Sequence, residues 1–539
     1  MKGIIVSNDI VFVNGHVLTG HRTPSDATGV AIHQGRIASV GSDAEARAWA
    51  GPGTPVIDLN GRSIAPAFND AHCHIMSVGF SAKEIDARTP PNRRIQDIVE
   101  RVAERASTTE TGRWIIARGY DQARLEDQRH PTREDLDPVS PSHPVILVRA
   151  CGHISVGNSR ALELAGIDAN TRDPEGGTID RGEDGRPTGV LREEANRMLR
   201  RVIPAPSVDE IREALVLAGQ EYYSRGVTSA AEAGIRTPDE MAAYTTLRNE
   251  GALPLRSYLM MMIDERLEPL RELGLRTGFG DEVLRIGPAK IFLDGSIGGR
   301  TARMSQPYEG EDDNLGLWMQ DPQVMKDKLK AAHHAGFQCC AHAIGDAAID
   351  LLLSAFEEAL AEAPRDDHRH RIEHSSILRP DLLDRIQRIG AIPIPGTSFL
   401  HAFQKAYVAN LGMDRIRYAY AMREFLNRGI VAAASTDAPV VSTSAMIGIQ
   451  TMMTRLSEEG EELYAEEKIT LEEAIHAYTW AGAYASFEEN LKGTLEPGKV
   501  GDVAVLEGDL RDVPPEAMST VNVDLTVMNG DVVYQRGDN

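Results

Sequence analysis

Cysteine is scarce: Cys73, Cys151, Cys339 and Cys340 are the only four among 539 residues. So few thiols exclude a disulfide framework, and their spacing matches no zinc finger or CxxC motif. They read as buried apolar thiols in a reducing compartment. Cys73, wedged between two histidines, is the one to watch. No apolar run reaches the roughly 18 residues that span a bilayer, so no membrane partner is expected. The opening MKGIIVSNDIVFVNGHVL has no apolar run ending in a small-residue cleavage site. It reads as mature protein starting with a strand, and the expected location is the cytoplasm. Basic residues are short: 57 Lys+Arg stand against 80 Asp+Glu, a net charge of −23. Such a chain repels phosphate backbones and anionic membranes, which sets nucleic acid aside as a partner. There is no internal repeat and no low-complexity segment.

What is present is ordinary globular material. Hydrophobic residues at 42% and charged residues at 25% exclude disorder, collagen and coiled coil. The length suggests three or four domains, or one large barrel with additions. The first sixty residues read as short strands with turns, with an Asn14-Gly15 hairpin signal inside IVFVNGHVLTG. The C-terminus has the same texture around Asn529-Gly530. Both ends together predict one small β-sandwich, residues 1–63 and 490–539, with everything else inserted into it.

The middle alternates apolar strands with amphipathic helices, which predicts a parallel α/β architecture. A helix starts at the capping pair Ser207 and Glu210, with an apolar stripe at Ile211, Leu215, Ala218 and Tyr222. Thr470 and Glu473 repeat the device. Eight candidate strands fall at 64–72, 227–233, 255–263, 289–296, 338–344, 369–375, 391–398 and 430–438. They predict a (β/α)8 TIM-like barrel over 64–80 and 221–489, with a doubly wound sheet as the alternative. Residues 81–220 fit neither pattern. PTREDLDP and DPEGGTIDRGEDGRPTG read there as turns and loops, so this stretch is expected to be an inserted α+β subdomain over the barrel mouth.

Strand one ends Asn69-Asp70-Ala71-His72-Cys73-His74. Alternate side chains share a face, so Asp70, His72 and His74 point into the barrel together. Two imidazoles two apart can hold one metal ion. Lys290 lies in strand four, His342 ends strand five, His374 ends strand six and Asp437 ends strand eight. The C-terminal ends of barrel strands converge on one mouth, so these six form a candidate metal site. Lys290 needs its own chemistry, because protonated lysine repels a cation. Burial can free the amine, which then adds carbon dioxide to give a carbamate able to bridge two metals; a structural or substrate-binding lysine is the alternative.

Weaker substrate-binding candidates are Asp294, His153, Tyr120 with Asp121, and Arg300 with Thr301. Asp294 either faces the mouth beyond Lys290 or caps the Gly295 turn. Alternation places Glu373 outward and His370 on the face of His374, but deeper. Met260, Met261 and Met262 read as core, with a flexible pocket wall as the alternative. The GSIGG run at 295–299 lacks a following Lys-Ser/Thr and is no phosphate loop.

The whole chain resembles the amidohydrolase superfamily, specifically the amidohydrolase family 3 or YtcJ-like group that includes N-substituted formamide deformylases. NGHVLTG, FNDAHCHI, GYDQ, GHISVGNSRAL, KIFLDGS, HAIGDAA, HRIEHS, STDAPV and KGTLEPGKVGDVAVL carry the resemblance. STD stands before Ala438 where relatives often carry GSD. The resemblance implies a metal-dependent hydrolase with a barrel and a composite β-sandwich. It also implies that His72, His74, Lys290, His342, His374 and Asp437 match the metal positions, Lys290 matching the usual carboxylated lysine. The expected cofactor is a divalent metal, zinc by the His-rich shell, one or two per chain. Asp437 is the expected catalytic proton carrier. The leading reading is hydrolysis of a carbon–nitrogen bond in a small amide, with an N-substituted formamide suggested by the family alone. Deamination of a cyclic amidine and a scaffold without chemistry are the alternatives. Family habit also suggests a homodimer.

Overall fold

The computed structural model describes residues 8–150 and 152–537. Cys151 therefore lies outside the described residues, while Cys73, Cys339 and Cys340 are buried free thiols. Two compact units are present, one built from residues up to Gly79 and from Ile211 onward, the other being Phe80–Glu210. No helix of the described residues is long and apolar enough to cross a membrane.

The larger unit contains two small facing sheets. One orders Arg36–Gly41, Gly29–His33, Ile10–Val13 and Val56–Asp58. The other orders His16–Val17, Ser63–Pro66, Val503–Leu506, Val523–Met528 and Asp531–Gln535, so both ends of the chain share it. Phe12, Ile32, Ile64, Val503 and Val527 bury their side chains in the common core. The two Asn-Gly turns differ. Asn529 and Gly530 both adopt positive φ, 51° and 80°, and join two antiparallel strands. That backbone follows the right-handed twist of a hairpin. Asn14 also turns at φ 56°. However, Ile10–Val13 pairs with Gly29–His33, whereas His16–Val17 pairs with Ser63–Pro66. The expected N-terminal hairpin is thus a crossing point from one sheet to the other.

Seven consecutive parallel strands form the barrel wall: Phe68–Cys73, Val227–Ile235, Arg256–Met262, Leu284–Phe292, Cys339–Ala343, Arg371–His374 and Ile392–Pro395. They are called strands one to seven below. The helices between them bury one apolar face each. Pro380–Ile389, for instance, buries Leu382, Leu383 and Ile386 and stops at Gly390, whose φ of 73° makes a left-handed cap.

The expected eighth strand, 430–438, is extended but not a regular strand. It closes the barrel by single bonds to both edges. Ala433 and Ser435 donate to the Pro393 and Pro395 carbonyls, Ala71 donates to Ala434 and Asp437 donates to His72. The cause lies in strand seven. The residues that face the gap are Pro393 and Pro395, which have no N–H to return. Half the ladder is therefore missing on that side.

The smaller unit holds a six-stranded mixed sheet, ordered Gly177–Arg181, Pro187–Glu193, Ile154–Gly157, Val145–Arg149, Ile115–Tyr120 and Ile85–Asp86. Separate apolar clusters pack on it, one around Ile98, Val102 and Leu147, the other around Ile146, Leu162 and Leu191. Two stretches read from sequence as loops are regular structure. Thr132 and Asp135 cap the short helix Arg133–Leu136. The second stretch forms a hairpin in which Arg192 grips Asp180 at 2.7 and 2.8 Å.

Candidate metal centre

Strand one delivers its side chains by alternation. Asp70 and His72 face inward, whereas Cys73 turns away and points its thiol at the Ala231 carbonyl, 3.7 Å distant. Burial pushes that thiol well up. The end of strand one and the closing segment are stitched together. Asp437 N–H donates to the His72 carbonyl and His74 N–H to the Ala438 carbonyl, each at 2.8 Å. Thr436 adds its own N–H and hydroxyl to the Asp70 carboxyl. The backbone of Asp437 is left-handed, φ 58°, which swings its carboxylate over the strand ends.

One candidate ligand atom from each of His72, His374 and Asp437 lies within 4.8 Å of the other two. Asp437 Oδ1 is 3.5 Å from His72 Nε2 and 3.2 Å from His74 Nε2, and Asp437 Oδ2 is 3.9 Å from His374 Nδ1. The His342 ring centre is 4.5 Å from that of His374, although His342 Nε2 donates to the Gly295 carbonyl at 2.9 Å. Burial lowers the pKa of His72 and His374 well below the usual histidine value and that of His342 to about 4. The Lys290 charge lowers all three further. The rings are therefore neutral near pH 7 and offer lone pairs.

Lys290 is buried in strand four, its Nζ 5.1 Å from the centre of the Phe292 ring. Burial depresses its pKa, with Glu373 and Asp437 pulling partly back. Lys290 Nζ and Asp437 Oδ1 are both buried without a hydrogen-bond partner. A buried polar atom left unpaired costs about 1–3 kcal/mol. Two such atoms beside three neutral imidazoles fit a cation-binding donor set.

Glu373 overturns its sequence reading. It is fully buried and accepts from His72 Nδ1 at 2.5 Å, so it faces the barrel interior. Arg371 holds it through Nε at 2.7 Å and Nη2 at 2.9 Å, and the same Nη2 donates to the Ala71 carbonyl at 2.6 Å. Alternation counted back from His374 fails because His374 and Ser375 are left-handed, φ 69° and 44°. Arg371 and Glu373 set the inward face, and the kink lets His374 join it. His370 is corrected for the same reason. It faces the helices, beside His333 and Phe356, not the metal centre. The signal that was available is the Arg-x-Glu pair inside a strand, where opposite charges two apart share a face.

The remaining candidates have these partners, and Asp294 also lies 3.6 Å from His342 Nε2. Strand four ends at Phe292, so Asp294 is no longer on the strand face. Its carboxyl accepts from the N–H groups of Arg303, Ile344 and Gly345 at 2.8–3.1 Å and fixes the loops after strands four and five. Thr301 Oγ1 accepts from Ser296 N–H, and Arg300 donates to Asn410 at 2.9 Å and pairs with Glu311. Both hold the loop after strand four. Within the smaller unit, Tyr120 packs in the core and hydrogen-bonds with His130, Asp121 pairs with Arg149 at 2.9 Å, and exposed His153 pairs with Glu193. Met260, Met261 and Met262 are buried, as core residues are.

Comparison with known proteins gives a consistent picture. The model of the amidohydrolase family matches residues 55–534. The chain is 29% identical to the YtcJ protein of Bacillus subtilis over 90% of its own length and 92% of that protein. It is 27% identical to an N-substituted formamide deformylase of Arthrobacter pascens, covering 98% of both. An uncharacterized metal-dependent hydrolase from Pyrococcus furiosus superposes with a TM-score of 0.77 at 29% identity, over 94% of this chain and all of that one.

Proposed function

The chain belongs to the amidohydrolase family, and from that premise we propose that it hydrolyses a non-peptide carbon–nitrogen bond in a small amide. The observation that carries this reading is the buried convergence of His72, His374 and Asp437, with Asp437 Oδ1 and Lys290 Nζ both unpaired. His72, His74, His342, His374 and Asp437 would hold a divalent ion, and the imidazole-rich set favours zinc. Such an ion supplies Lewis acidity, lowering the pKa of water and polarising a carbonyl.

The chain's own residues do the rest. Asp437 takes a proton from the attacking water and hands it to the departing nitrogen, which then leaves as a neutral amine. Glu373 holds His72 in the tautomer whose Nε2 lone pair faces Asp437. Buried Lys290 adds carbon dioxide through Nζ; a nitrogen–carbon bond forms, one proton leaves, and a carboxylate replaces the amine. The Arthrobacter relative's name makes N-substituted formamides the first substrates to try.

The test is metal content per chain, followed by an amide panel scored for amine release. Asp437→Asn should keep its metal while kcat falls about 10²–10⁴-fold. Near-normal turnover would refute the proton-carrying role. Ammonia in place of an amine and a carboxylate would replace amide hydrolysis by deamination. Intact mass of the native protein should exceed the sequence mass by one carbon dioxide, and Lys290→Met should lose that increment.

A further inference from the structure

The larger unit has a cavity of about 440 Å³ that no residue of the metal centre lines. That volume lies within the roughly 300–1,000 Å³ typical of small-molecule sites. It sits where the closing segment enters the barrel, against Ile430, Val431 and Ala432. Asp437 lies five residues further on, at the strand ends, and no residue of the metal centre lines the cavity. The two sites are therefore separate.

The cavity's walls and rim differ in character. Met422, Phe425, Ile430, Ile469 and Trp480 supply an apolar lining, and Phe425 is fully buried beneath it. Trp480 is stacked between His476 and Tyr484, at 4.8 and 5.1 Å between ring centres, so it is held rigid. Three basic side chains, His21, Arg22 and His476, share the lining. His476 Nδ1 is committed to the Gly20 carbonyl at 2.7 Å, which leaves Nε2 as its other polar atom. Two carboxylates stand near: Glu496 lies 3.6 Å from His21 Nε2, and Glu473 in the lining is engaged elsewhere. It takes two bonds from Arg423 at 2.7 and 3.1 Å and one from the Thr470 N–H. Arg22 is exposed and has no anionic partner among the described residues.

An apolar chamber with one unpaired guanidinium, Arg22, at its rim selects a molecule that is apolar at one end and anionic at the other. Arginine's planar fork matches a carboxylate with two parallel bonds. We propose that this cavity is a ligand site for an apolar monocarboxylate, with the hydrocarbon or aryl body against Leu426 and the edge of Trp480 and the carboxylate at Arg22. Burial holds the body, and the charge sets its direction.

The test titrates the full-length protein calorimetrically with 3-phenylpropionate and, separately, with uncharged 3-phenylpropan-1-ol. The acid should bind at least tenfold more tightly than the alcohol. Arg22→Glu, an exposed change that spares the fold, should weaken the acid at least tenfold and leave the alcohol unaffected. Leu426→Trp, at the partly exposed wall, should weaken both. A diazirine analogue of the acid should label peptides spanning 420–432 and 469–481. Equal binding of acid and alcohol, or unchanged affinity in Arg22→Glu, would overturn the proposal. So would labelling confined to peptides carrying His72, His374 or Asp437. If light scattering shows a dimer that Arg22→Glu dissociates, with no labelling of either peptide, the face is an interface between copies and the proposal fails.

Discussion

At the scale of single residues, the centre depends on the positioning of its ligands. Arg371 and Glu373 form a buried clamp on His72, with Arg371 also gripping the strand-one backbone at Ala71. Removing a carboxylate that orients a metal-binding histidine typically costs 10–100-fold in metal affinity. Glu373→Gln keeps an oxygen able to accept from His72 Nδ1 but loses the charge. Chelator competition should therefore show a drop toward the small end of that range. Glu373→Ala should reach the large end. It also leaves the Arg371 cation buried and unpaired, at about 3–5 kcal/mol of stability, read as a lower denaturant midpoint. Unchanged metal affinity in both variants would reduce the clamp to a fold element. His72 and His74 are legible in sequence because strand one is regular and alternation holds to its end. Glu373 is legible only through the Arg371-x-Glu373 pair; counting back from His374 turns it outward, because that one left-handed residue inverts the count and nothing in HRIEHS announces its backbone.

Elements tell the same story at larger range. Strand position and order follow from apolar runs and helix caps: the Ser207–Glu210 and Thr470–Glu473 capping pairs are both formed. The closing segment escapes such reading, because its irregularity is imposed by Pro393 and Pro395 on a neighbouring strand. With half its ladder absent, the segment relies on side chains, and Thr436 is the principal one. It donates N–H and hydroxyl to buried Asp70, and its hydroxyl accepts from Ala438 N–H at 3.0 Å. Thr436→Val preserves the shape and removes the hydroxyl. Leaving those buried groups short of a partner should cost about 1–3 kcal/mol. Chemical denaturation should show a lower midpoint with an unchanged slope, since the surface exposed on unfolding is the same. A change below a few tenths of a kcal/mol would mean that backbone bonds alone hold the barrel closed.

Across the whole molecule, buried histidine ties stability to pH. A second set lies between the barrel wall and its helices, away from the metal centre. Cys339 N–H donates to His370 Nδ1, so the neutral His370 ring carries its proton on Nε2 and donates to His333 Nδ1 at 2.9 Å. His333 Nε2–H then donates to the Ala363 carbonyl at 2.7 Å. His368 accepts from the His370 N–H and donates to the Ile389 carbonyl. Every ring nitrogen is used in the neutral form, and a further proton would set one N–H against another. Burial accordingly lowers the pKa of His333, His368 and His370 below the usual 6.5. Below pH 6.5 the unfolded chain binds protons that the folded chain refuses. The stability these rings contribute is complete above pH 6.5 and falls as the pH drops toward the lowered folded values. Each proton taken up differentially steepens the fall by about 1.36 kcal/mol per pH unit. The margin of the parent's denaturation midpoint over that of His370→Phe, measured from pH 8 to pH 5, should stay constant to about 6.5 and then shrink. His370→Phe removes the ring most strongly shifted, so the variant should start less stable at pH 8 but decline less steeply below 6.5. An equal slope in variant and parent would assign the acid sensitivity to the histidines of the metal centre instead.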